Sequence, residues 1–341
     1  MIGFNQICNF SGDIMTVFLI TGGAGFIGSS LADRLLELGH KIVVIDNFDP
    51  YYERATKERN IKNSINNKNY VFIEGDIRNT DLVKKIIDEH KIDKVFHIAA
   101  RAGVRFSVKD PYSYHDLNVN GTLSLLKACI ATKVKRIVFA SSSSVYGIQK
   151  NLPITEEHST NPISPYGASK LASESFCNSF SHVFNTPIVS LRYFSVYGPR
   201  QRPDMAIHMF TKAILNGEAI IVYGDGSQTR DFTYISDVVD ATIKAMESDT
   251  VGVFNIGSGS RITVNELVNT LETILNRKTK ITHIEKQKGD VPDTLADTSK
   301  AKTAFGYEPR VNIKKGIKLF YEWYEKNVVN SGSSIQRARK C

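Results

Sequence analysis

Cysteine is scarce in this chain. Its four copies among 341 residues, Cys8, Cys129, Cys177 and Cys341, are scattered and form no C-x-x-C pair. That spacing excludes a disulfide framework and a zinc ribbon, and it fits a reducing compartment, the cytoplasm. Long apolar runs are also missing. None approaches the roughly 20 residues that a membrane-spanning helix needs, so no membrane partner is expected. The start, MIGFNQICNFSGDIM, has neither a cationic segment nor a sustained apolar stretch, which argues against a signal peptide. No repeat and no low-complexity block breaks the chain. A formal charge of +8 comes without a basic-aromatic module, so nucleic acid is not an expected partner; part of the excess lies in the tail QRARKC. No metal is expected either. What remains, 42% hydrophobic and 23% charged residues, is ordinary for a globular protein with a large core.

β-rich apolar runs at 17–20, 41–46, 70–75, 94–99, 136–141 and 187–192 alternate with helix-length segments near 25–38, 80–90, 112–131 and 165–184. The runs are nearly continuous hydrophobics, the pattern of a parallel sheet covered on both faces. This predicts an α/β fold: a Rossmann-type doubly wound parallel sheet with a smaller C-terminal substrate-binding domain. Past Tyr193 the order loosens, with helices expected near 205–216, 236–247, 264–276 and 312–327 and short strands near 220–223, 252–255 and 281–285. The division read from this pattern is a flexible extension over 1–15, a dinucleotide-binding domain over 16–192, a substrate domain over 193–328 partly interleaved with the first, and a disordered basic tail over 329–341.

TGGAGFIG (21–28) joins the first strand to the first helix, with Gly22, Gly25 and Gly28 spaced G-x-x-G-x-x-G around Phe26 and Ile27. Glycines alone serve plain tight turns. Between a strand and a helix they also let a backbone approach a pyrophosphate, which the helix N–H groups then meet. Asp46 ends the second strand, followed by Asn47. Such an acid accepts both adenosine ribose hydroxyls and repels a 2′-phosphate, so the expected cofactor is NAD rather than NADP. Asp76 and Ile77, in EGDIRN, close the third strand, where an adenine contact and a loop cap both fit. Ala99 and Ala100 end the fourth; they are small enough for a close cofactor, or for helix packing.

SPYGASK places Tyr166 and Lys170 four apart at the start of a helix, on one face. A phenol titrates near pH 10, so Tyr166 becomes a base at neutral pH only if something favours its phenolate; Lys170 and a positive nicotinamide are the expected causes. FASSSSVYG (139–147) adds hydroxyls where the fifth strand leaves the sheet. Four serines there fit a polar loop, but ligands bind at that edge of open α/β sheets.

Together these residues resemble the extended short-chain dehydrogenase/reductase family, specifically its NAD-dependent nucleotide-sugar epimerases and dehydratases, over roughly 16–328. The resemblance implies Ser142, Tyr166 and Lys170 as the catalytic set, with Ser143 and Ser144 beside the sugar and Lys170 also on the nicotinamide ribose. Tyr193 and Phe194, in LRYFSVYGP, would border the cofactor. Arg230, in GDGSQTRDFTYISDVV, would lie near the diphosphate, and Tyr223 would border the uracil. The implied reaction removes the C4 hydroxyl proton and hydride, giving a 4-keto sugar, and returns hydride to the other face. Dehydratases of the family carry Asp-Glu where this chain has Ser143-Ser144, and its decarboxylases carry Glu at Ser144; epimerisation is what remains.

GPRQRPDMAIHMF resembles the UDP-glucuronate 4-epimerase branch, in which Arg202 would grip the sugar carboxylate. A planar guanidinium suits that task because it makes two parallel hydrogen bonds. Arg200 is expected at the diphosphate or in solvent. Ser195 keeps the hydroxyl of the Thr usual in that branch, whereas glucose/galactose epimerases carry Asn. DNFDPYY (46–52) and AGVRFS (102–107) also resemble the uronate branch, with Arg105 able to approach substrate. Gln287 stands where the galactose branch has a diphosphate-binding Arg, and Asp290 is a candidate for the nucleotide ribose. UDP-glucose or UDP-N-acetylglucosamine 4-epimerase is the alternative activity; a non-catalytic NAD-binding sensor or scaffold is the alternative of another class. A homodimer through the helices at 112–131 and 165–184, and a supply of sugar to surface polysaccharide synthesis, are further implications of the resemblance.

Overall fold

A computed structural model describes residues 15–329. The expected extension and basic tail therefore lie, apart from residues 15 and 329, outside the described residues. The apolar runs form β1 (Val17–Thr21), β2 (Lys41–Asp46), β3 (Tyr70–Glu74), β4 (Lys94–His97), β5 (Arg136–Ser142) and β6 (Ile188–Tyr193). A seventh strand, Gly252–Ile256, comes from the stretch read as the substrate domain and pairs with β6. The order across the sheet is Gly252–Ile256, β6, β5, β4, β1, β2, β3, and every pair is parallel.

Alternate residues of these runs enter two different cores. Ile20, Val44, Phe96 and Val138 pack on one side of the sheet, while Leu19, Val43, Val95 and Ile137 pack on the other. Strand side chains alternate faces, so a sheet covered on both sides needs uninterrupted apolar sequence. Each such side chain fully buried contributes about 1.5–3 kcal/mol.

Because β2 and β4 flank β1, the connections after β1 and β4 leave in opposite directions, which opens a crevice at the carboxyl ends of the strands. TGGAGFIG, Asp46, Ala99 and Ser142 all stand at those ends. The helix Pro165–Phe184 is sharply bounded: the Ser164 side chain accepts from the Gly167 N–H at 3.1 Å, Pro165 occupies the first turn, and Asn185 closes it in the left-handed region at φ 52°.

Two local readings need correction. The helix expected over 112–131 is Pro111–Tyr114 and Gly121–Ala131 joined by a π-helical stretch, His115–Asn120. A helix over Arg54–Ile61 was not expected, because RATKERNI has no apolar periodicity. Beyond the sheet lie short pairs: Ser195–Tyr197 with Phe232–Tyr234, Ile220–Tyr223 with Ile281–Ile284, and Thr229–Arg230 with Ile262–Thr263. Among the described residues no helix is long and apolar enough to cross a membrane.

Candidate active site

A cleft of about 1430 Å³, including its open mouth, lies over the carboxyl ends of β1, β2 and β4. Gly22, Gly25, Phe26, Ile27, Gly28, Asp46, Asn47, Asp76, Ile77, Ala99, Ala100, Lys170 and Tyr193 all line it. Gly22 has φ +71°, and a Cβ there would stand 2.7 Å from the Ala99 Cα. A Cβ on Gly28 would come within 2.3 Å of the Gly22 carbonyl oxygen. Helix Phe26–Glu37 starts at Gly25 with no side-chain cap, which leaves first-turn N–H groups available to a phosphate. Buried Asp46 accepts the N–H of Ala24 at 3.1 Å and of Phe48 at 2.8 Å. A carboxylate has about four acceptor positions, so capacity remains for ribose hydroxyls. Burial raises the Asp46 pKa, opposed by the Lys57 ammonium and the two N–H bonds. Asp76 accepts from Asn47 at 3.0 Å and is held below the usual carboxylate range, chiefly by Arg78. The close turn, the uncapped helix end and the acid closing β2 fit a dinucleotide.

Ser142 ends β5 with its hydroxyl accepting the Ser144 N–H at 3.2 Å. The same side chain is near enough to the Tyr166 phenol to favour its phenolate. Burial pushes that phenol up from its ordinary value, while the Ser142 hydroxyl and the Arg202 charge pull it down. Lys170 follows Tyr166 by four residues on the same helix. Its ammonium lies 4.6 Å over the Phe139 ring and is itself brought down to about 8 by burial, with Cys177 and Glu174 opposing. The hydroxyl on β5 and Arg202 therefore favour the phenolate in this arrangement.

A second cavity, of about 860 Å³, adjoins the first, and both are lined by Ala102, Tyr166, Ser195, Arg202 and Met205. Ser143, Ser144, Arg230 and Asp290 line this second space, where Arg230 donates to Asp290 at 2.7 Å. Arg105 and Tyr223 line neither cavity; the Arg105 guanidinium lies 4.0 Å over the Tyr223 ring. Arg200 is at neither a diphosphate site nor in open solvent: it pairs with Asp33 of the first helix at 2.5 Å, from a left-handed backbone at φ 69°.

Several lining residues were not singled out from sequence. Tyr51, Tyr52, Lys57 and Arg101 face the first cavity. Lys57 donates to the Asp49 carbonyl at 2.8 Å, and Arg101 pairs with Asp49 at 2.6 Å. Their signal was position: DNFDPYY leaves the carboxyl end of β2, and its two tyrosines are large side chains at a ligand-binding edge.

A family model described as GDP-mannose 4,6 dehydratase matches residues 19–320. The chain belongs to that family of extended short-chain dehydrogenase/reductases. A UDP-glucuronate 4-epimerase of Thermodesulfobacterium geofontis is 37% identical over 316 residues, spanning 92% of this chain and 98% of its own. The crystal structure of UDP-glucuronic acid 4-epimerase from Bacillus cereus, in complex with UDP-glucuronic acid and NAD, superposes with a TM-score of 0.87 at 39% identity, covering 91% and 99% of the two chains. UDP-glucose 4-epimerase of Thermotoga maritima with UDP-glucose gives 0.86 at 36% identity over 92% and 100%. The family thus joins dehydratases and epimerases, and within it this chain has serines, not acids, at 143 and 144.

Proposed function

We infer that this chain is an NAD-dependent UDP-sugar 4-epimerase that converts UDP-glucuronate to UDP-galacturonate through a 4-keto sugar. The observation that carries the substrate is Arg202, a guanidinium at the junction of the two cavities and close enough to Tyr166 to influence its phenol. Relatives of both uronate and neutral-sugar specificity share the fold, so the choice rests on that side chain.

Gly22, Gly25 and Gly28 with the uncapped helix hold the pyrophosphate, Asp46 holds the adenosine ribose, Asp76 and Ile77 border the adenine, and Lys170 holds the nicotinamide ribose. Bound NAD supplies reversible hydride acceptance at the sugar C4. Tyr166 takes the C4 hydroxyl proton, and Ser142 hydrogen-bonds the same oxygen as it becomes a carbonyl. Serines at 143 and 144 leave no carboxylate to eliminate water across C5–C6. Arg230 meets the diphosphate and Asp290 the nucleotide ribose; Tyr223 borders the uracil with Arg105 beside it. Arg202 and Ser195 face the C6 carboxylate.

The dinucleotide part of this assignment corresponds to a domain over 16–192 and the sugar part to 193–328. A homodimer is supported by the helix Pro165–Phe184, which leaves Phe176, Val183 and Phe184 exposed. A cytoplasmic place is supported by free, buried Cys129 and Cys177, and surface-polysaccharide synthesis is the proposed destination of the product. UDP-glucose and UDP-N-acetylglucosamine are the alternative substrates, because solved epimerases named for each of them share this fold. A non-catalytic sensor is disfavoured by the complete Ser142–Tyr166–Lys170 set.

The test is UDP-glucuronate carrying deuterium at C4. Its conversion to UDP-galacturonate with the deuterium retained at C4 supports the reading, and loss of the label to water, or of carbon dioxide from the sugar, contradicts it.

A further inference from the structure

We infer that Asp204 is a specificity-determining positioning residue, which holds one edge of the Arg202 guanidinium so that the opposite edge meets a sugar carboxylate. This rests on the reading of the substrate as a uronate.

Arg202 donates through Nε and Nη2 to the two carboxylate oxygens of Asp204, each at 2.9 Å. Both bonds lie along one side of the planar group, the two-point geometry that fixes its orientation as well as its place. The Tyr51 hydroxyl donates to the same carboxylate at 3.1 Å, and the Tyr51 ring lies 5.2 Å from the guanidinium carbon. One arginine is thus held by a residue two positions along its own loop and by a tyrosine from the loop after β2.

A guanidinium carries five N–H donors. The Asp204 fork uses one on Nε and one on Nη2, which leaves both on Nη1 and one on Nη2. Arg202 lines both cavities whereas Asp204 lines neither. The protein's carboxylate therefore sits behind the guanidinium, and the edge with the remaining donors is the one presented to the sugar. Asp204 also supplies the counter-charge that makes a largely buried guanidinium tolerable before substrate arrives. The pair is not a reason to expect a neutral sugar. Its side-on geometry leaves the second fork intact, and without Asp204 the long side chain would be free to turn that fork away.

Asp204→Asn keeps the size of the side chain but removes its charge and one of the two acceptor oxygens. The experiment measures calorimetric Kd values of the NAD-loaded protein for UDP-glucuronate and for UDP-glucose, in wild type, Asp204→Asn, Tyr51→Phe and Arg202→Ala. UDP-glucose serves as the control, since a merely structural defect weakens both ligands alike. The expected result is that Asp204→Asn lowers the preference for UDP-glucuronate by about tenfold or more, the scale of one charge-assisted hydrogen bond, with the Kd for UDP-glucose unchanged. Tyr51→Phe keeps the carboxylate and should move the preference the same way by less; it carries the test if Asp204→Asn does not fold. An unchanged preference, or tighter UDP-glucuronate binding in Asp204→Asn, would overturn the inference. If Arg202→Ala abolishes the preference and Asp204→Asn keeps it, this inference fails alone. If wild type shows no preference at all, the uronate reading fails and takes the inference with it.

Discussion

Glu174 and Arg192 form a buried ion pair on the face of the helix that carries Tyr166 and Lys170. Arg192 Nη2 and Nε donate to the two Glu174 oxygens at 2.5 and 3.1 Å, and the Ser141 hydroxyl adds a bond of 2.7 Å. The arrangement ties the helix Pro165–Phe184 to β5 and β6 next to Ser142. The helical spacing puts Tyr166, Lys170 and Glu174 on one face, so the same pair that locks the helix places a negative charge near the Lys170 ammonium.

Removing one partner leaves the other charge buried and unanswered. Glu174→Gln should therefore cost about 3–5 kcal/mol of stability, measured by urea denaturation. A cost below about 1 kcal/mol, the scale of an exposed ion pair, would mean that the pair is not held away from water as described.

Lys170 makes stability depend on pH in a definite direction. Burial lowers its pKa from the ordinary 10.5 to about 8, so between those values the unfolded chain binds more protons than the folded one. Unfolding free energy must then rise with pH over that window, and the contribution is constant below it. In cofactor-free protein, the difference between wild type and Lys170→Met in denaturant midpoint should shift in favour of wild type from pH 8 to pH 9.5. A flat difference would place the ammonium in water.

Tyr166→Phe removes the proposed base without disturbing the dinucleotide cleft. Turnover should fall by about 10²–10⁴-fold, with NAD content retained after purification. Loss of NAD together with activity would instead assign the phenol to cofactor binding. Ser142→Ala deletes a hydroxyl that pulls the phenol down, so the acidic limb of the kcat profile should move to higher pH.

How much of this was legible beforehand depends on range along the chain. The glycine turn, Asp46 and the Tyr166–Lys170 spacing are local patterns, and the sheet topology brings them to one cleft. The parallel strands announced themselves because both of their faces are buried. The helix over Arg54–Ile61 did not, since its polar composition gives no amphipathic signal and its place is set by contacts such as Asn60 to the Ala24 carbonyl at 3.0 Å. Arg200 and Arg202 stand two apart in one loop yet meet different acids, Asp33 and Asp204, because the left-handed turn at Arg200 sends its side chain toward the first helix. The approach of Ser142 and Arg202 to Tyr166 from other segments is likewise long-range and leaves no local pattern in the sequence.

Substrate choice by Arg202 is decided by turnover of the purified protein with UDP-glucuronate, UDP-glucose and UDP-N-acetylglucosamine, each alone, with products separated by chromatography. UDP-galacturonate should form from UDP-glucuronate, and Arg202→Ala should abolish it. Turnover of a neutral UDP-sugar alone, unaffected by that substitution, would contradict that choice.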